Sequence, residues 1–68
     1  MDMKIKINDN GQMREINISG ASTVAEAAKK AKINLPSYLA KIKNNIVPDT
    51  QKLNKNDTVE FFKIISGG

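Results

Sequence analysis

Asp57-Thr58-Val59-Glu60-Phe61-Phe62-Lys63-Ile64-Ile65-Ser66-Gly67-Gly68 closes the chain and decides its fold. From Val59 to Ile65 five of seven residues are apolar, mostly β-branched or aromatic. Such a segment is a strand buried at least partly on both faces, which belongs in the middle of a sheet. Side chains alternate along a strand, so Val59, Phe61 and Ile65 share one face and Phe62 and Ile64 the other. Gly67 and Gly68 gain nothing by packing and keep full backbone freedom. A buried strand that delivers a side-chain-free end makes the terminal carboxylate a candidate functional group. Taken alone, the tail reads equally as a frayed terminus.

Composition narrows the choice. A chain of 68 residues holds one domain with a thin core. It has no cysteine, hence no disulfide and no thiolate nucleophile, and no histidine, the usual acid–base residue near neutral pH. Triads of the Ser-His or Cys-His type are excluded, and a metal site is not expected. The carboxylates Asp2, Asp9, Glu15, Glu26, Asp49, Asp57 and Glu60 fall in turns, at a helix start or on strand surfaces, and no pair is tied to one site. An enzyme is therefore the least favoured class. No apolar run approaches the roughly 20 residues of a membrane span, and no secretory leader is visible, so the expected compartment is the cytoplasm. The net charge of +4 is modest and its lysines are spread along the chain. With two of three aromatics in the last strand, neither a basic footprint nor a base-stacking platform for nucleic acid is evident.

Outward from the last strand, Met3-Lys4-Ile5-Lys6-Ile7-Asn8 alternates strictly and reads as a half-buried strand. Asp9-Asn10-Gly11 is a tight-turn signal, and Gln12–Ser19 supplies a second strand with Ile16 and Ile18 inward. Thr23-Val24-Ala25-Glu26 is a capping box, in which Thr23 caps Glu26 and Glu26 reaches back to Thr23. Val24, Ala27, Ala28 and Ala31 then lie on one helical stripe, which predicts a helix over 24–32. Lys29, Lys30 and Lys32 suit the negative end of its dipole. Asn34-Leu35-Pro36 ends the helix, because proline disfavours helical geometry in the residue before it. Tyr38–Lys43 reads as a third strand with Tyr38, Ala40 and Ile42 on one face, Asn44-Asn45 as a turn, and Ile46-Val47 as an edge strand. Asp49–Leu53 reads as irregular or one turn of tight helix.

A hairpin followed by a helix that must bury its stripe is a two-layer α+β domain. The most apolar strand, the last, belongs beside the first and parallel to it, the helical excursion between them permitting a right-handed crossover. The helix then covers Ile5, Ile7, Ile16, Ile18, Ile42, Val59 and Phe61. Phe62, Ile64 and Leu39 are left on the far face without cover, which marks them as candidate partner contacts.

Three stretches and the tail match one pattern. Ala21–Ala28 looks like a threonine-capped helix start. Leu39–Pro48 is similar to a strand, Asn-Gly turn and Val-Pro segment, with Asn45 for the glycine. Leu53–Phe62 looks like a Leu-x-x-Gly-Asp-x-Val lead into the last strand, with Asn56 for that glycine, and Ser66-Gly67-Gly68 matches a terminal Gly-Gly. Asparagine tolerates the left-handed conformation that such glycines supply. In this order and spacing, over essentially the whole chain, the sequence resembles the ThiS/MoaD family of small sulfur carriers, which serve thiamin and molybdopterin biosynthesis.

That resemblance implies a ubiquitin-like β-grasp, a mixed four- to five-stranded sheet with one helix on one face. It implies one carrier domain over 1–68 with a flexible tail at 66–68. It also implies a function. A ubiquitin-activating-type enzyme adenylates the carboxylate of Gly68 with Mg-ATP, and sulfur then displaces AMP to leave a thiocarboxylate for a sulfur-accepting synthase. Such a carboxylate is ionised at neutral pH and a poor electrophile until activated. The carrier holds no cofactor permanently, and Ser66 and Gly67 form the thread that reaches the enzyme. The short chain leans toward the thiamin-type carrier. A ubiquitin-like protein modifier and a donor for tRNA thiolation share the same tail and remain open. So does a β-grasp RNA- or protein-binding module without covalent chemistry.

Overall fold

The computed structural model of the chain describes residues 2–64. Its elements are strands β1 (Asp2–Asp9), β2 (Gln12–Ser19), helix α1 (Val24–Lys30), a 3-10 turn (Leu35–Ser37), and strands β3 (Tyr38–Ile42), β4 (Asn45–Val47) and β5 (Thr58–Lys63). The five strands form one mixed sheet in the order β2-β1-β5-β3-β4. The last strand sits at its centre. β5 runs parallel to β1, with Ile5 opposite Val59 and Ile7 opposite Phe61, and antiparallel to β3, with Ala40 opposite Phe61. Ile65, placed on the core face by the sequence, lies outside the described residues.

Why the hairpin forms is visible in its turn. Asn10 and Gly11 both adopt positive φ, 53° and 86°, the two left-handed residues that a two-residue hairpin loop requires. That loop fixes the β1–β2 register from Asp9 opposite Gln12 to Asp2 opposite Ser19. Alternation then delivers Met3, Ile5, Ile7 and Ile18 to the face that α1 covers, where they are buried with Val59, Phe61 and Ala40. Ile16 and Ile42 are only partly buried against this core.

A seven-residue helix is too short to be stable alone. Its stripe is small: Val24, Ala27 and Ala28 are buried, and the alanines let the helix axis approach the sheet closely. Its first three N–H donors are all taken. The Val24 N–H donates to the Gln51 carbonyl at 3.0 Å, the Ala25 N–H to that of Asp49 at 2.9 Å, and the Glu26 N–H to Thr23 Oγ1 at 3.2 Å. The segment 49–53, expected to be irregular or a turn of tight helix, is the clasp. It makes no helix, and it also bridges Thr23 to Lys52 and takes Leu53 N–H to the Ser22 carbonyl at 2.9 Å. The capping box is shifted by one residue on its return arm. The Glu26 carboxylate accepts from the N–H (2.8 Å) and hydroxyl of Ser22, not from the Thr23 N–H, because Ser22 offers two donors together.

The helix stops at Lys30, with Ala31 as its cap, short of the Lys32 expected and well before Asn34-Leu35-Pro36. The Ile33 N–H reaches back to the Ala28 carbonyl at 2.8 Å and the Lys32 N–H to that of Lys29 at 3.2 Å, a Schellman closure. This forces Lys32 to φ 60°. Left-handed geometry also falls on Lys43 and Asn44, which form the β3–β4 turn one residue earlier than expected, and not on Asn45 or Asn56. The shift starts β4 at Asn45 and sets Val47 opposite the small Ala40 on the core face.

Two outcomes follow. A β-carbon at φ 60° is strained, so Lys32→Gly should stabilise the domain by up to about 1 kcal/mol, read as a higher denaturation midpoint at unchanged slope. Glu26 has its pKa lowered, first by the Ser22 hydroxyl and then by the Ser22 backbone N–H, with Lys30 adding a weaker attraction. A lowered folded value means that the ionised cap's stabilisation is complete above glutamate's ordinary pKa and fades as pH falls through the folded one. Glu26→Gln should therefore flatten the acid limb of a stability-against-pH curve, and an unchanged limb would remove this role.

Candidate functional site

β5 faces two ways. Val59 and Phe61 are fully buried beneath α1, while Thr58, Glu60 and Phe62 point to the side that no helix covers. Cross-strand partners share a face, so the register draws a row across that open side. Leu39 on β3 lies opposite Phe62, Phe62 opposite Asn8 on β1, and Asn8 opposite Met13 on β2. Leu39 and Met13 are exposed at 36% and 56%, and Phe62 is half-buried. Ile64, 42% exposed, follows just past β5, its N–H held by the Ser37 carbonyl at 2.9 Å.

Lys41, two residues along β3 from Leu39, holds its Nζ 5.4 Å from the centroid of the Phe62 ring. A cation over an aromatic face is attracted by the ring quadrupole and fixes the ring's exposed side. The apolar row is thus bordered by a positive charge. The next row down carries Glu15, Lys6, Glu60, Lys41 and the exposed Ile46 in register from β2 to β4.

Of the candidate partner contacts, the structure brings Leu39 and Phe62 side by side and leaves Ile64 exposed near the end of β5. Met13, Lys41 and Ile46 join or border the same side and were not anticipated. Met13 could have been found: the Asn10-Gly11 turn fixes it opposite Asn8. Lys41 over Phe62 depends on two strands distant in sequence, and no local signal announces it. Ser66, Gly67 and Gly68, the sulfur-bearing tail expected from the resemblance, lie outside the described residues. Among the described residues no group of three His, Cys, Asp or Glu side chains could hold a metal ion. No helix there is long and apolar enough to cross a membrane.

The ThiS family model matches residues 7–68. No curated protein matches the chain in sequence. Among solved structures it is similar to the ubiquitin of Caldiarchaeum subterraneum, at 20% identity and a TM-score of 0.57 over the whole of both chains. It is also similar to the N-terminal ubiquitin-like domain of the 4931431F19Rik protein, at 14% identity and a TM-score of 0.63, covering 98% of this chain and 79% of that one. A third likeness is to ATBAG1 in its complex with HSP70, at 14% identity and a TM-score of 0.61, covering 90% of this chain and 40% of that one. At these identities the likenesses show a shared fold, the ubiquitin-like β-grasp.

The two phenylalanines should separate cleanly. Phe61→Ala empties a fully buried site and should cost about 3–5 kcal/mol of stability. Phe62→Ala removes a half-buried ring from an open face and should leave a cooperative melt close to wild type. Equal loss in both variants, by thermal or denaturant melting, would show that the open face carries the fold as much as the core does.

Proposed function

The chain belongs to the ThiS family, and from that premise we propose that it is a sulfur carrier whose working group is the carboxylate of Gly68. Members of this family are small ubiquitin-like carriers and not themselves enzymes. The observation that carries the proposal is the family match, which runs through β5 to the terminal Gly67-Gly68. In this reading a carboxylate oxygen of Gly68 attacks the α-phosphorus of Mg-ATP on a ubiquitin-activating-type enzyme and pyrophosphate leaves. Hydrosulfide then attacks the acyl carbon, AMP leaves with the former carboxylate oxygen, and the thiol proton passes to water. The product is a thiocarboxylate, which a thiazole-forming synthase of thiamin biosynthesis accepts. A molybdopterin-type synthase is the alternative acceptor, and protein modification or tRNA thiolation by the same activated end is the alternative fate. The setting is the cytoplasm.

The chain contributes position and recognition, not acid or base. Phe62, Leu39 and Ile64 are the proposed contacts for the activating enzyme. Truncating such an anchor typically costs about 1–4 kcal/mol of binding. Gly67 and Gly68 offer no β-carbon to obstruct a narrow channel.

The test is ATP–pyrophosphate exchange with the activating enzyme of the source organism. Wild type should support exchange. Deletion of Gly68, which withdraws the carboxylate by up to about 3.5 Å, and Gly67→Val should each abolish it at unchanged melting temperature. Extension beyond Gly68 should do the same unless a protease restores the end. With sulfide present, wild type should gain about 16 Da, the exchange of one oxygen for sulfur. Equal exchange in all four forms would make the tail a loose end and favour a binding module without covalent chemistry.

A further inference from the structure

The open side of the sheet holds a second feature at the end away from Phe62. Lys6, Lys41, Lys43, Asn44, Asn56, Thr58 and Glu60 enclose a shallow recess of about 280 Å³. It collects residues from four distant parts of the chain: β1, the end of β3 with its turn, the loop before β5, and β5 itself. Three ammonium groups and one carboxylate line it, an excess of two positive charges.

The lysines of this recess differ from others on the same sheet. Lys4 pairs with Glu15 at 3.7 Å, and Lys63 with Asp9 at 3.8 Å. Among the described residues Lys6, Lys41 and Lys43 make no ion pair, although the register sets Glu60 between Lys6 and Lys41. Lys43 is held in the recess by the β3–β4 turn, which puts it at φ 51°, a conformation unusual for lysine. Apart from the Lys41 contact with the Phe62 ring, the positive charge here is concentrated and, among the described residues, unpaired.

Lys41 belongs to both features. It lines the recess and lies over the Phe62 ring. From Phe62 back to Thr58 is four residues of strand, about 13 Å at 3.3 Å per residue. One protein interface, at about 800 Å² per side, easily spans both. We infer that the recess docks an acidic segment of the protein that covers Phe62, its carboxylates meeting Lys6, Lys41 and Lys43 and one N–H donor meeting Glu60. Nucleic acid fits less well. A phosphate chain would run against the Glu60 carboxylate, and no aromatic side chain lines the recess to stack a base. This inference rests on the carrier reading and names the chemistry by which the activating enzyme selects the chain. Complementary charge of this kind acts mainly on encounter rate and salt dependence.

The experiment compares wild type with Lys6→Gln/Lys41→Gln/Lys43→Gln and with Lys29→Gln/Lys30→Gln/Lys32→Gln, which loses the same charge from the helix side. All three forms are titrated in ATP–pyrophosphate exchange with the source organism's activating enzyme. The recess triple should raise KM for the carrier by about tenfold or more at low salt with kcat unchanged, and the gap should close toward about 0.5 M salt. The helix triple should stay within about twofold of wild type. If the recess triple does not fold, Lys43→Gln alone should raise KM by about threefold. Equal KM in wild type and recess variants, an equal rise in the helix triple, or a gap that salt does not close would each overturn the recess as an acidic-segment site. So would salt-sensitive binding of a single-stranded RNA oligonucleotide that the recess triple loses. No exchange with wild type at all would instead strike the carrier reading, and the recess proposal with it.

Discussion

The parallel pairing of β1 with β5 is the constraint on which everything else depends. Lys4–Asn8 lie against Thr58–Phe62, so nearly the whole chain is a loop closed by this one ladder. Closing so long a loop costs entropy that only non-local burial can offset. The burial is there: Ile5, Ile7, Val59 and Phe61 are almost wholly removed from water in the sheet's centre. β2 extends β1 through a tight turn, and β3 with β4 extends β5, so both edges are built outward from the central pair.

The helix depends on that pair too, and on a clasp. Seven residues cannot hold a helix in water, and its buried stripe is mostly alanine. What fixes it is the floor of the sheet below and the 49–53 segment at its end, whose carbonyls take the first two N–H groups. The same clasp has a functional consequence. A helix start whose first N–H groups are spent on backbone carbonyls and Thr23 offers no anion-binding end.

The proposed partner contacts lie on the opposite side. There the sheet carries a largely apolar row of Leu39, Phe62, Asn8 and Met13, bounded by Lys41 and followed by a lysine-lined recess. Under the proposed carrier role, a chain of the ThiS family needs surfaces and a reactive end more than catalytic side chains, the bond-making groups sitting on its partners. The absence of histidine and cysteine is compatible with such a division of labour.

The sequence by itself determined the elements and their layering. Period-two alternation in Met3–Asn8, the Asn10-Gly11 turn, the Thr23 cap and the doubly apolar Val59–Phe62 are local signals, and each set a piece of structure that the fold retained. Phe62, Leu39 and Ile64 were legible as uncovered for the same reason, because alternation assigns faces once the core face is known. Only the tertiary structure decided which partner each group takes where several lie within reach, near in the chain or far. It ended the helix at Lys30 by a Schellman closure, moved the β3–β4 turn onto Lys43 and Asn44, and sent Glu26 to Ser22. It made 49–53 a clasp, and it gathered Lys6, Lys41 and Lys43 around Glu60. The physical reason is common to all five. Backbone hydrogen bonds and cross-strand neighbours are chosen by whichever partner the packed sheet brings within reach, and a linear sequence carries no record of that distance.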